Sequence, residues 1–203
     1  MRAAAPPNVP RETPPWGEEF AELLSAWNRR INLVSRGDSS RLISRHVQDS
    51  LELVPLIPEG VNRGVDLGSG AGFPGLILAK ATGIQFDLIE ADQRKAAFLR
   101  EAVRLLRAPV AVHAGRAESV HVTPAPLVTA RAVAPLIKLL PLAARFLALS
   151  ATALFPKGPT VETELTSVEP KWQMEVERFP GRATPGAVVL RITELRRVGQ
   201  FSL

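Results

Sequence analysis

Val65-Asp66-Leu67-Gly68-Ser69-Gly70-Ala71-Gly72-Phe73-Pro74-Gly75 reads as a strand, a tight loop and the start of a helix. An apolar and acidic lead runs into glycines at 68, 70, 72 and 75, and the apolar run Leu76-Ile77-Leu78-Ala79 follows. Glycine reaches positive φ without steric cost and lets a ligand approach the backbone closely. Amides at the N-terminus of the following helix are unpaired donors with partial positive charge. Pro74 suits the first turn, where a missing N–H is not needed. Four glycines in eight residues exceed what an ordinary turn requires, so the stretch points to a nucleotide-type ligand.

Two registers compete. Gly70, Gly72 and Gly75 fit G-x-G-x-x-G, the dinucleotide fingerprint. Gly68, Gly70 and Gly72 fit G-x-G-x-G behind Asp66, the pattern of S-adenosylmethionine methyltransferases. The second fits better, because Asp66 is then placed to reach the cationic end of an aminoacyl ligand. S-adenosylmethionine is the expected cofactor, cradled by Asp66, Gly68, Ser69, Gly70 and Gly72. Glu90 closes the next strand, and an acidic side chain there accepts ribose hydroxyls in either cofactor class. After the third strand, Ala114-Gly115-Arg116-Ala117-Glu118 lies beside the same crevice. An adenine there rests on backbone groups of Ala117 and Glu118, unless Glu118 is simply a solvated loop carboxylate.

Beyond the loop, short strands and helices alternate. Gly64–Asp66, Gln85–Glu90, Val110–His113, Leu127–Ala130 and Ala151–Phe155 read as strands. A helix over Asp92–Leu106 turns Phe98, Leu99, Ala102, Val103 and Leu106 inward. A second over Pro135–Leu149 is kinked or delayed by Pro141. Trp172–Phe179 and Ala187–Thr193 read as a final antiparallel pair. Ahead of the loop, Phe20, Leu23, Leu24, Trp27 and Ile31 recur on one face of a helix from Gly17 to Ile31. A helix over Ser40–Val54 buries Ile43, Val47, Leu51 and Val54 and carries Arg45, His46 and Asp49 on its other side. Prolines at 6, 7, 10, 14 and 15 mark residues 1–15 as a flexible lead. The expected fold is α/β, a Rossmann-like class I methyltransferase with a mostly parallel seven-stranded sheet and an antiparallel edge. Residues 16–203 form one domain in this reading, with N-terminal helices over 16–58 and the core over 63–195.

Cysteine is absent, which excludes disulfides, thiolate metal sites and every cysteine nucleophile, including the covalent route to methylated pyrimidine carbons. No metal is expected. Leu139–Phe155 is interrupted by Pro141, Arg145 and Ser150, so it reads as buried helix and strand, not a membrane span. Met1–Pro7 lacks the apolar core of a leader. A cytoplasmic monomer without membrane contact is expected. Lys and Arg outnumber Asp and Glu by 25 to 20, and the sequence pI is about 10.4. That balance suits a polyanionic partner, although a bias toward Arg codons gives the same excess. Arg94 and Lys95, one turn beyond Glu90, form one basic group, and Arg29, Arg30, Arg36 and Arg41 another. Each meets RNA phosphates or is a solvated helix face.

No N-P-P-Y-type stretch, of the kind that holds an exocyclic amine, occurs. Guanine N7 carries a free lone pair and no proton, so its methylation needs no general base. Alignment with the sulfonium methyl and electrostatic support suffice. Arg131 follows the fourth strand, where methyltransferase substrates meet the methyl, and is the first catalytic candidate. Asn32, Arg45 and His46 are candidates for gripping substrate or closing the pocket. Ion-pair or structural roles are the alternatives for Arg131 and His46. His113 is read as core.

Trp27-Asn28-Arg29-Arg30-Ile31-Asn32-Leu33-Val34-Ser35, Arg45-His46-Val47-Gln48-Asp49-Ser50-Leu51, the glycine loop, Gly115-Arg116-Ala117-Glu118, Thr129-Ala130-Arg131-Ala132 and Lys157-Gly158 occur in that order. Together they resemble the glucose-inhibited division protein B family, bacterial methyltransferases of small-subunit ribosomal RNA acting on guanine N7. The resemblance spans roughly residues 16–195. It implies a cofactor site on Gly68, Phe73, the segment Glu90, Ala91 and Asp92, Ala117, Glu118 and Arg131. It implies 16S ribosomal RNA or the small ribosomal subunit as partner, with the 530 loop of the decoding region as target. The tail Val198–Leu203 departs from the family's basic-aromatic ending. The alternatives are a small-molecule or protein methyltransferase, or a nucleotide-sensing module without transfer activity.

Overall fold

The computed structural model describes residues 14–34, 40–181 and 185–199, with the side chains of 40–44 excepted. Most of the Pro-rich lead, Arg36, the Arg41 side chain and the tail beyond 199 lie outside the described residues.

Seven strands form one sheet in the order β3-β2-β1-β4-β5-β7-β6. They are β1 (Arg63–Leu67), β2 (Gln85–Glu90), β3 (Val110–Ala114), β4 (Ala125–Ala130), β5 (Leu147–Lys157), β6 (Trp172–Pro180) and β7 (Val188–Arg197). The first five run parallel, and β7 and β6 close the sheet antiparallel. The chain winds outward from β1 through β2 to β3, then returns to the other side of β1 as β4. Ligands bind at such a reversal, beyond the carboxyl ends of the strands. Here those ends carry the glycine loop and Arg131.

Strand alternation splits the core into two layers. On one face Leu88 and Leu127 pack with Phe20, Leu24, Leu76 and Phe98 from α1 (Pro15–Asn28), α3 (Gly75–Thr82) and α4 (Gln93–Leu106), and with Val47 of α2 (Ser40–Leu51). On the other, Val65, Leu67, Val128 and Phe155 meet Leu139 and Leu165 of α5 (Leu136–Ala143) and α6 (Val161–Val168). The N-terminal helices are thus part of one layer of the core. Trp27 lies edge-on to Phe98, 5.9 Å between centroids, and its indole N–H donates to Glu101 at 3.1 Å.

The expected elements need correction: the first helix runs over Pro15–Asn28, not Gly17–Ile31, and the second ends at Leu51, not Val54. The helix after Pro135 ends at Ala143, not Leu149, and residues from Leu147 belong to β5. Pro141 removes a backbone donor within that short helix, and Leu147 pairs with Ala125 across a shift in register. A helix was not expected over Val161–Val168; Val161, Leu165 and Val168 supply its buried stripe. His113 is part of a half-buried polar cluster, not core. Its Nε2 lies 2.7 Å from Asp87 Oδ1, and Arg63 holds the other oxygen at 2.6 Å.

Candidate active site

The glycine loop is built as its composition requires. Gly68, Gly70 and Gly72 adopt φ of 61°, 55° and 90°, a region that L side chains enter only with strain. A Cβ at Gly70 would meet only the Gly68 carbonyl, at 3.8 Å, so the backbone there borders open space. Gly75 is constrained differently. Its added Cβ would stand 2.5 Å from Asp66 Cβ and 2.7 Å from Leu88.

Glu90 braces this loop. One carboxylate oxygen accepts from the Gly70 amide and the other from the Asp92 amide, each at 2.8 Å. A carboxylate has about four acceptor positions, so it retains capacity for a ligand's hydroxyls. Asp92 caps α4, accepting from the amides of Arg94 and Lys95 at 2.8 and 3.3 Å. Ala91 is exposed at the turn between them. The Glu90 carbonyl accepts from Gly115, which draws the segment before Ala117 and Glu118 against the end of β2. Glu118 is exposed, and the Ala117 carbonyl accepts from Arg145 at 2.9 Å.

Asp66 is fully buried. Register places it beside Thr129 of β4, whose hydroxyl donates to Oδ1 at 2.6 Å. Oδ2 has no hydrogen-bond partner among the described residues. Burial pushes the carboxyl up to about 6, against the lowering effect of Thr129, Ser69, the Gly75 amide and the Arg131 charge.

Phe73 joins the loop to three other elements. Phe20 of α1 packs edge-on against it at 5.6 Å between centroids. The His46 ring of α2 lies 5.4 Å away, and the Arg131 guanidinium sits 4.8 Å over the Phe73 ring. Arg131 Nη1 is 3.2 Å from His46 Nδ1, and Asp49 lies 3.7 Å from the same nitrogen. Three residues expected from separate segments, Phe73, His46 and Arg131, therefore meet at one place.

Asn32 does not join them in any contact described; it is exposed in the loop after α1. The neighbouring Asn28 has the structural role, its Oδ1 accepting from the Leu33 and Val34 amides at 2.9 and 3.1 Å. Arg29, Arg30, Arg45 and Arg94 are exposed and Lys95 is half-buried. Sequence reasoning missed Lys157 and Glu164. Their 2.7 Å ion pair also holds the Ala134 carbonyl and the Leu136 amide, which fixes the segment after Arg131. Lys157-Gly158 was visible as a motif, whereas Glu164 lies on the unexpected α6. Beside Arg131 a cavity of about 270 Å³ opens, lined by Asp49, Lys157, Glu164, Val188 and Val189 among others.

The profile of the family described as rRNA small subunit methyltransferase G matches residues 17–183. A protein of Granulibacter bethesdensis named ribosomal RNA small subunit methyltransferase G is 50% identical over 193 residues, 94% of this chain and 89% of that protein. One of Rhodospirillum centenum with the same name is 50% identical over 92% of this chain and 87% of its own length. Among solved structures, a Bacillus cereus O-methyltransferase in complex with S-adenosylhomocysteine superposes with a TM-score of 0.62 at 15% identity, covering 92% of this chain and 93% of its own. A Streptomyces achromogenes O-methyltransferase in complex with S-adenosylmethionine gives 0.60 at 14%, covering 93% and 92%. The last two establish a shared fold.

Proposed function

We propose, from the premise that this chain belongs to the rRNA small subunit methyltransferase G family, that it methylates N7 of a guanine in 16S ribosomal RNA, in the 530 loop, using S-adenosylmethionine. The observation that carries this reading is the meeting of Phe73, His46 and Arg131 at the mouth of the glycine loop. No helix among the described residues is long and apolar enough to cross a membrane. A cytoplasmic enzyme acting on the small ribosomal subunit fits this reading.

The residues present suit the cofactor. Gly70 leaves open space where a side chain would stand, and the buried Asp66 Oδ2 is an acceptor in need of a donor, such as an ammonium group. Glu90 suits a ribose diol. When bound, S-adenosylmethionine supplies a methyl on a sulfonium, which the guanine N7 lone pair accepts as the carbon–sulfur bond breaks. The chain's own contribution is placement. Phe73 and Arg131 form a packed surface beside the loop, because the ring is held by Phe20 and the guanidinium lies on the ring. Arg131 needs no proton transfer in this role, and none is assigned to His46, which orients it.

The test is radiolabelled methyl transfer from S-adenosylmethionine to 16S RNA, to small-subunit particles and to a panel of metabolites, followed by mapping of N7-methylguanine. Transfer to RNA or particles at one guanine is expected. Transfer to metabolites alone, or to another atom of the RNA, overturns the reading.

A further inference from the structure

The cavity beside Arg131 bears on which base is accepted. Arg131 lines it, and it opens between the ends of α2, β4 and β5 and the start of β7. Its apolar lining includes Pro156, Val188 and Val189. Its charges are unequal in availability. Lys157 and Glu164 neutralise each other at 2.7 Å and are tied to backbone. Asp49 lines the same space, only 13% exposed, with the imidazole of His46 3.7 Å away. Asp49 belongs to the Arg45-His46-x-x-Asp49 segment, and the methyl-transfer reading gives it no task.

We propose that Asp49 receives the Watson–Crick edge of the target guanine and thereby selects guanine over adenine, an inference that rests on the reading of the chain as a guanine-N7 methyltransferase. The N7 lone pair is shared by both purines, so reactivity alone does not separate them. The opposite edge does. Guanine presents N1–H and a 2-amino group, two donors that a carboxylate accepts side by side. Adenine presents a bare N1, whose lone pair a carboxylate repels. His46 links Asp49 to the loop: its Nδ1 lies 3.7 Å from Asp49 and 3.2 Å from Arg131, whose guanidinium sits over the ring of Phe73. The Arg131 guanidinium, which also lines the cavity, is a planar group of the kind on which unstacked RNA bases lie. As the methyl–sulfur bond breaks and the methyl–N7 bond forms, the positive charge leaves sulfur for the purine. N1–H and the amino group become stronger donors, so the contact with Asp49 tightens during transfer and supports the transition state.

The experiment uses the full chain and an RNA carrying guanine or inosine, which lacks the 2-amino group, at the mapped position. Methyl transfer is measured as kcat and KM, and RNA binding by fluorescence anisotropy. For the parent, inosine should lower kcat/KM by roughly tenfold to a hundredfold and weaken binding. In Asp49→Ala and Asp49→Asn that penalty should shrink to under about threefold, with guanine itself now used as poorly as inosine. Calorimetry with S-adenosylhomocysteine should give a parent-like dissociation constant for both variants, which shows that the fold and cofactor site persist. An inosine penalty of equal size in parent and variants, or none in the parent, overturns the role of Asp49 while leaving the methyltransferase reading intact. Absence of N7-methylguanine formation by the parent removes both.

Discussion

The guanidinium of Arg131 lies 4.8 Å over the ring of Phe73. The pair joins the end of β4 to the glycine loop, two segments 58 residues apart in sequence. A cation over an aromatic face is attracted by the ring quadrupole, by about 0.5–2 kcal/mol depending on desolvation. The same guanidinium reaches His46 and lowers the charge penalty on Asp66. Replacing it therefore affects the loop, the imidazole and the buried carboxylate together.

Arg131→Ala should lower single-turnover methylation by about tenfold or more, a much larger loss than that in RNA affinity. Arg131→Lys should recover little, because a point charge does not reproduce a planar contact with both Phe73 and His46. The measurement is a single-turnover rate beside an RNA binding curve. Full activity in Arg131→Ala would make the arginine structural.

Glu90 already holds two loop amides, so its loss acts twice. Glu90→Ala leaves the Gly70 and Asp92 amides without their charged acceptor; hydrogen bonds of that type are each worth roughly 1.5–3 kcal/mol. Expected are a lower Tm and at least tenfold weaker binding of S-adenosylhomocysteine by calorimetry. Binding within twofold of the parent would show that the ribose is held elsewhere.

Asp66 makes stability pH-dependent in an unusual direction. Its carboxyl keeps a proton in the folded chain to about pH 6, whereas the unfolded chain releases it near 3.8. Between those values the folded state binds more protons, so this group's contribution falls as pH rises. At neutral pH the penalty is roughly 3 kcal/mol. Asp66→Asn should thus be more stable than the parent at pH 7.5, and the advantage should vanish near pH 4. Cofactor affinity should fall in the same variant, since the orphan acceptor is gone. Denaturant unfolding at the two pH values reads the first effect and calorimetry the second. An advantage of equal size at both pH values would rule out titration of Asp66 as its source.

The sheet was legible because its local signals agree. β2 begins and ends where its sequence places it, at Gln85 and Glu90, and the paired strands at the C-terminus read correctly as antiparallel. The helix stop at Ala143 was not, since the long apolar run continues into β5 and only tertiary pairing with β4 decides where helix gives way to strand. Within the site, Phe73, His46 and Arg131 each stood out as sequence, but nothing local said that they touch. Asp66 stood out as a ligand contact; its burial beside Thr129 follows from sheet register, which the sequence does not state.

Two glycines separate backbone need from ligand need. Gly70→Ala meets no crowding but forces an L residue to a φ of 55°, a cost of about 1–2 kcal/mol, and puts a methyl into the open space over the loop. Gly75→Ala drives its methyl into Asp66 and Leu88, which are buried and have nowhere to move; overpacking of this kind costs about 1–3 kcal/mol. Gly70→Ala should therefore lose most cofactor affinity with a modest drop in Tm, and Gly75→Ala should show the larger drop in Tm. Parent-like calorimetry in Gly70→Ala would mean that the cofactor does not lie over this loop.

The exposed arginines near the first helix end and at the start of α4 are not equivalent. Arg30 is exposed beyond α1, and Arg29 donates a long 3.4 Å bond to the Ser25 carbonyl. Arg94 faces the Asp92 carboxylate at 3.3 Å, so part of its charge is already answered. If these side chains meet RNA phosphates, each contributes about 0.7 to the slope of log affinity against log salt on single strands and about 0.9 on a duplex. Replacing Arg30 with Ala should reduce the slope by nearly that amount. Replacing Arg94 should reduce it less, because its guanidinium is already shared with the Asp92 carboxylate and answers less of a phosphate's charge. S-adenosylhomocysteine affinity should not change in the Arg29 and Arg30 variants. Anisotropy titrations of 16S RNA fragments across a salt series measure the slopes. Equal slopes in parent, Arg29→Ala and Arg30→Ala would identify that basic group as solvated surface and move the RNA path toward Arg45 on α2.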